Sequence, residues 1–284
     1  MERVAIVTDS VADVPPDICR EMHISVVPLY VQFGLETFRD RVDLSDEEFY
    51  SRLKHSNELP KTSQPHPADF VQVYRLLTSR RSQVVSIHPI AQFSGTYNTA
   101  LLARSMMHTP EHISVIDSRS GSAGQLLVVL EAARAALKGL KREQITELVS
   151  EMRSKVRVYV GLETLSYLAR NGRIGKAHVL MASMLNVKPM ISVIDGEIGP
   201  VGRARGSSAM LARLVEMCAD LVKSTRARVA ITHAGAQQQA IRLCSQIESK
   251  LGLRDTVISS MCPAVVSNAG PGAIAVAVYE PELS

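Results

Sequence analysis

The chain has 284 residues, 46% of them hydrophobic and 21% charged, a composition that excludes disordered and fibrous classes and fits a water-soluble globular protein. A net charge of +4, with Lys and Arg scattered rather than clustered, excludes the basic stripe of a nucleic-acid binder and the polybasic patch of a membrane-surface protein. No window is apolar enough over sufficient length to span a bilayer, and Glu2 and Arg3 stand directly before the first apolar run. The expectation is a cytoplasmic protein without stable membrane insertion, large enough for two domains. Cys19, Cys218, Cys244 and Cys262 form no CxxC or similar spacing, which argues against structural zinc and a disulfide framework.

Arg3 to Val7 reads as a strand ending in Thr8-Asp9-Ser10, and Pro15-Pro16 opens a short helix. Ligands of open α/β sheets bind beyond the carboxyl ends of strands, so Asp9 and Ser10 are either site residues or ordinary turn formers. Ile24 to Phe33 reads as one extended segment, and Ser45-Asp46-Glu47-Glu48 as a capping box opening a helix. Pro60 to Pro67 holds three prolines in eight residues, a rigid extended loop that cannot join a central strand and that presents Thr62 and Ser63. The helix after it places Phe70, Val73, Tyr74 and Leu77 on one face.

Val84 to Ile87 is a strand stopped near Pro89, and Ser94-Gly95-Thr96 stands where the next helix begins. Uncommitted backbone N–H groups and the positive dipole end make such a start an anion seat, with small hydroxyls adding donors; a simple helix cap by Ser94 fits the same residues. His112 to Ile116, the turn Asp117 to Ser122 and a helix from Ala123 to Leu137 repeat the strand, polar turn, helix unit. Three such units form a parallel sheet with Thr8 to Ser10, Ser94 to Thr96 and Ser118 to Ser122 along one edge. A helix over Glu143 to Met152 and a strand over Val156 to Val160 follow.

Beyond Lys155 the pattern changes. Leu162, Leu165 and Leu168 mark a short helix, Arg170 to Gly175 a basic glycine loop, and Lys176 to Leu185 a methionine-bearing helix. Val187 to Ile194 and Glu197 to Val201 flank Asp195-Gly196, a hairpin signal and the first clear antiparallel pair. Ser207 to Val222, Arg228 to Thr232, Gln237 to Leu251, Thr256 to Met261 and Ala273 to Val278 continue as helix, strand, helix, strand, strand. The expected fold class is α/β: a three-layer α/β/α unit with a mainly parallel sheet over residues 1–157, and a mixed α/β unit over residues 158–284.

For acyl transfer the residue types are present, with Ser94 as nucleophile, His88 as base and Asp9 or Asp117 as orienter. No GxSxG elbow surrounds Ser94, however. A kinase reading lacks a GxxxxGK[ST] loop, and the histidines show no HExxH spacing for a metal. A binding module requires less: hydroxyls at a helix start to hold an anionic head, and an apolar interior for a tail. Met106, Met107, Met181, Met184 and Met190 are candidate walls, or ordinary core.

Taken in order, Thr8-Asp9-Ser10, KTSQP at Lys61 to Pro65, SIH then SGTY within Ser86 to Tyr97, IDSRS at Ile116 to Ser120, LARNGRIG at Leu168 to Gly175, LNVKPMISV at Leu185 to Val193 and NAGPG at Asn268 to Gly272 resemble the DegV family of bacterial fatty-acid-binding proteins. The resemblance runs over essentially the whole chain. It implies a two-domain α/β protein with no cofactor, which buries a long-chain fatty acid and holds its carboxylate with Thr62 and Ser94, helped by Gly95, Thr96 and Asn268. It also implies a separate fatty acid kinase as partner, making an acyl phosphate for phospholipid synthesis, so that this chain is a carrier rather than an enzyme. Arg170, Arg173, Arg203 and Arg205 then face the kinase or the transferred phosphate. Three departures stand out: Asn268 replaces the family's usual histidine, His66 replaces a small residue after TSQP, and Asn171 replaces the first glycine of GGRI. A serine hydrolase using Ser94 is the competing reading.

Overall fold

The computed structural model describes residues 4–56, 58–80, 82–180 and 186–281. Strand β1 (Val4–Asp9) and helix α1 (Pro16–Glu21) lead into β2 (Ile24–Val27), β3 (Tyr30–Phe33) and β4 (Glu36–Arg39). Helix α2 (Asp46–His55), capped by Ser45 Oγ accepting from the Glu48 N–H, β5 (Lys61–Ser63) and α3 (Pro67–Ser79) follow. Next come β6 (Gln83–His88), α4 (Thr96–Ser105), β7 (Ile113–Asp117), α5 (Ala123–Leu137) and α6 (Arg142–Lys155). The remainder comprises β8 (Arg157–Gly161), α7 (Ser166–Arg170), β9 (Val187–Ile194), β10 (Glu197–Arg205), α8 (Gly206–Ala219), β11 (Arg228–His233), α9 (Gln237–Leu251), β12 (Val257–Ser260), α10 (Pro263–Ala269) and β13 (Ile274–Tyr279).

Among the described residues these strands form three sheets: a parallel one ordered β2-β1-β6-β7, a mixed one ordered β10-β9-β8-β13-β11-β12, and a small antiparallel one ordered β4-β3-β5. The α/β class with a parallel N-terminal and a mixed C-terminal sheet is as the periodicity predicts. Helices α3 and α4 cover one face of the parallel sheet through Phe70, Val71, Tyr74, Ala100 and Ala103, while α8 and α9 cover the outer face of the mixed sheet through Met210, Leu214, Leu243 and Ile247. Between the two sheets runs α5, apolar almost all round, as a helix without a solvent face must be.

Several sequence expectations need correction. Ile24 to Phe33 is two strands in two sheets, because Pro28 has no N–H to continue the ladder and Leu29 redirects the chain. Antiparallel pairing therefore begins at β3 and β4, well before the Asp195-Gly196 hairpin. Lys61 to Ser63 is a strand, though at an edge, where the prolines flanking it do no harm. Leu162 extends the β8–β9 pairing by donating its N–H to Pro189 O, so only Leu168 of the three leucines lies within α7. Gly175–Leu180 is a 3-10 helix rather than the start of an α-helix, and Met181, Met184 and Leu185 lie outside the described residues. Strand β10 runs on to Arg205 through a bulge between Pro200 and Gly202.

Candidate functional site

The carboxyl ends of β1, β6 and β7 bring Val11, Pro89 with Ile90, and Ser120 to Ser122 to one edge of the parallel sheet, facing the mixed sheet. Between them lies a cavity of about 200 Å³. Its walls are Val158 and Val160 of β8, Ile191 and Val193 of β9, Ile198 of β10, Ala275 of β13, and Met261, Ala264 and Val265 at α10. Its polar lining is concentrated in Thr62, Ser63, Gln64, Ser94, the Ser120 to Ser122 turn, Arg173 and Asn268.

The Thr62 loop is fastened at both ends. Thr62 and Ser63 pair with Val31 and Tyr30 of β3. Past Pro65, the His66 N–H donates to Asp69 Oδ2 (2.8 Å) and the Tyr30 hydroxyl donates to the same oxygen (3.1 Å), with the Tyr30 and His66 rings 5.0 Å apart. His66 thus caps α3 through its backbone, while its ring packs against Tyr30. Ser94 is held by its N–H on Ile90 O (3.0 Å) and by a hydroxyl pair with Thr96 Oγ1 (2.9 Å). The two loops meet at Gly95, where the missing Cβ leaves room for the Gln64 side-chain amide, whose Cδ would lie 2.8 Å from a Cβ. Thr96 is fully buried and stands behind Ser94 rather than in the cavity wall.

On the opposite side, Asn268 reaches the cavity from α10, its amide donating to Ala264 O (2.9 Å) while its Oδ1 has no hydrogen-bond partner among the described residues. That oxygen is an acceptor free for a ligand hydroxyl or a protonated carboxyl, and the second amide hydrogen remains a donor. Arg173 also lines the cavity, its guanidinium donating to Asn171 O, and Asn171 ties the glycine loop to α10 by donating to Ser267 O (2.8 Å).

Residues 3–281 match the family model described as "Uncharacterised protein, DegV family". The chain belongs to the DegV family. A DegV domain-containing protein of Halalkalibacterium halodurans is 35% identical, over 98% of this chain and 99% of its own. Among solved structures, a fatty-acid-binding DegV family protein from Thermus thermophilus superposes with a TM-score of 0.92 at 28% identity, over 98% of this chain and 100% of the other. A stearic acid-binding protein from Eubacterium ventriosum superposes with a TM-score of 0.88 at 26% identity, over 99% and 98%.

In this DegV-family chain the basic residues divide. Arg173 lines the cavity, whereas Arg170, Arg203 and Arg205 are exposed outside it, the last two on the edge strand β10. Of the methionines expected as walls, the three among the described residues lie elsewhere: Met106 is exposed, Met107 packs beside α3 and α4, and Met190 faces the α8 side of the mixed sheet. β-Branched strand residues and Met261 line the cavity instead.

The acyl-transfer constellation is also rearranged. His88 is fully buried, with Nδ1 2.7 Å from Asp9 Oδ2 and Nε2 2.7 Å from Ser86 Oγ, which in turn accepts from the Tyr74 hydroxyl at 2.8 Å. Both ring nitrogens are thus committed within the core, and Ser94 pairs with Thr96 instead. Asp9 Oδ1 accepts from the Val11 N–H and Ser10 Oγ from the Leu29 N–H, so both serve the turn beyond β1. Gln64, present in the sequence motif without an assigned role, and the α10 wall were missed, because neither carries a chemical signature until the fold seats it against Gly95 or the mixed sheet.

Proposed function

We propose that this DegV-family chain binds one long-chain fatty acid, with the carboxylate held by Thr62 and Ser94 and the tail buried between the units 1–157 and 158–284. The observation that carries this reading is an apolar cavity lined largely by Val, Ile, Ala and Leu, bordered by two hydroxyl loops that meet where Gln64 lies against Gly95. Structurally similar proteins that bind fatty acids support it. Asn268 keeps a hydrogen-bonding group where the family usually has histidine, so carboxylate binding survives while an ionisable group is lost.

The further step in the proposal is delivery in the cytoplasm to a separate fatty acid kinase, with this chain as carrier and Arg170, Arg173, Arg203 and Arg205 facing the kinase or the phosphate. Three of these guanidinium groups are exposed on the surface, as docking requires. Native mass spectrometry of the purified protein tests the core of the reading. One co-purified long-chain fatty acid per chain is expected; an empty protein that turns over an activated ester would transfer the assignment to a serine hydrolase using Ser94.

A further inference from the structure

We propose that Asp13, which does not itself touch the cavity, is the positioning residue that closes it, and that the proton on its carboxyl sets how fast the bound molecule leaves. This rests on the fatty-acid reading above. Asp13 follows the 3-10 turn Ser10–Ala12 in the left-handed conformation (φ 52°, ψ 30°), which aspartate tolerates better than most residues and which turns its side chain away from β1.

From there the carboxyl joins two segments that wall the cavity, the Ser122 turn and the start of α10, and reaches β11 through Ser122. Oδ2 accepts from Ser122 Oγ at 2.6 Å, at the start of α5. Oδ1 accepts from the Cys262 N–H at 2.7 Å, at the start of α10 and next to the cavity residue Met261. Ser122 Oγ is 2.7 Å from Thr232 Oγ1 of β11, and Ser259 Oγ donates to the Asp13 carbonyl at 2.5 Å. One fully buried carboxyl therefore holds the parallel-sheet side to the mixed-sheet side, with Ser122 a wall residue at one end and α10, bearing Ala264, Val265 and Asn268, at the other.

The hydroxyl chain works in either direction. With Asp13 ionised, Ser122 donates to it and Thr232 donates to Ser122; with Asp13 protonated, its O–H donates to Ser122, which then donates to Thr232. The bonds survive titration, but the charge does not stay neutral. Burial pushes the Asp13 carboxyl up to about 7, against the opposing pull of Arg41 and of the hydrogen bonds from Ser122 and Cys262. Asp40, also buried and likewise raised by desolvation, and the Cys262 thiol, held protonated by burial beside both carboxyls, complete the surroundings. Tyr50, Asp46 and His233 are the other titratable groups nearby; burial lowers His233 below its ordinary value, so it stays mainly neutral above pH 7.

The closed interface binds the proton more tightly than a separated one. Its stabilisation is therefore fully present below the ordinary carboxylate value of 3.8 and is lost as pH rises through about 7. With the open form ionised throughout, the ratio of closed to open falls about tenfold between pH 6 and pH 8.

The test is stopped-flow release of cis-parinaric acid from the full-length protein between pH 6 and pH 8. Wild type is expected to release up to about tenfold faster at pH 8. Asp13→Asn keeps the shape and both hydrogen bonds without a titrating group, and should release slowly with no slope across this range. Ser122→Ala removes a bond that favours the ionised form and should move the midpoint of the profile to higher pH, which a merely structural role would not do. Equal slopes in wild type and Asp13→Asn, or an unmoved midpoint in Ser122→Ala, would overturn the inference alone. Failure of wild type to bind cis-parinaric acid at any pH would overturn the fatty-acid reading, and this inference with it.

Discussion

Ser94 shows how little of a residue's role is intrinsic to it. Its hydroxyl pairs with that of Thr96, the first residue of α4, and accepts from the Thr96 N–H (3.3 Å), yet Ser94 also lines the cavity, where its O–H can turn to a carboxylate. A hydrogen bond to a charged group contributes about 1.5–3 kcal/mol, which makes Ser94→Ala about tenfold or more weaker for a fatty acid while the fold is retained. Displacement of cis-parinaric acid, read alongside the thermal midpoint, checks this; unchanged affinity would remove Ser94 from the carboxylate site. His88 is the contrary case. A histidine beside a strand end invited a catalytic reading, yet both its nitrogens are committed inside the core, where the Asp9, His88, Ser86 and Tyr74 chain ties β1 and β6 to α3.

At the level of elements, α5 is the part on which the two sheets depend. Leu126, Leu127, Val129, Leu130 and Ala133 are all buried, and the helix packs against β1 on one side and β11 and β13 on the other. The approach is close enough that a Cβ at Gly124 would run into Ser120 Oγ and lie 2.5 Å from Val158 Cγ2 of β8. Gly124→Val should therefore overpack this junction and reduce stability by about 1–3 kcal/mol. A lower urea midpoint at unchanged slope is the expected result, and a midpoint at or above wild type would show that the sheets can separate here without cost. Since Val158 also lines the cavity, ligand affinity should fall in the same variant.

For the molecule as a whole, the proposed fatty acid would be a third component of the core between the sheets. Burying each further methylene contributes about 0.8 kcal/mol until the cavity is full, and a ligand that binds only the folded state raises its stability in proportion to the logarithm of its concentration over the dissociation constant. A series of saturated fatty acids at one concentration should raise the thermal midpoint progressively with chain length and then level off. Acetate and palmitate giving the same shift would rule out a buried tail.

What was legible in the sequence is what local physics decides. The crossover units, the Ser45 cap, the α5 and α9 boundaries and the Asp195-Gly196 hairpin follow from side-chain periodicity and turn chemistry within a few residues. The motifs that carry Thr62, Ser94 and Asn268 stood out by their order and spacing in the sequence, and all three residues line the cavity. The partners that the two strands within Ile24 to Phe33 find, the choice of Val158, Ile191 and Ala275 over Met106, Met107 and Met190 as cavity wall, and the link from Asp13 to Ser122 and Cys262 were decided by tertiary structure. Each depends on partners distant in the chain, Asp13 and Cys262 being 249 residues apart, and a side chain carries no mark of which distant surface it will meet.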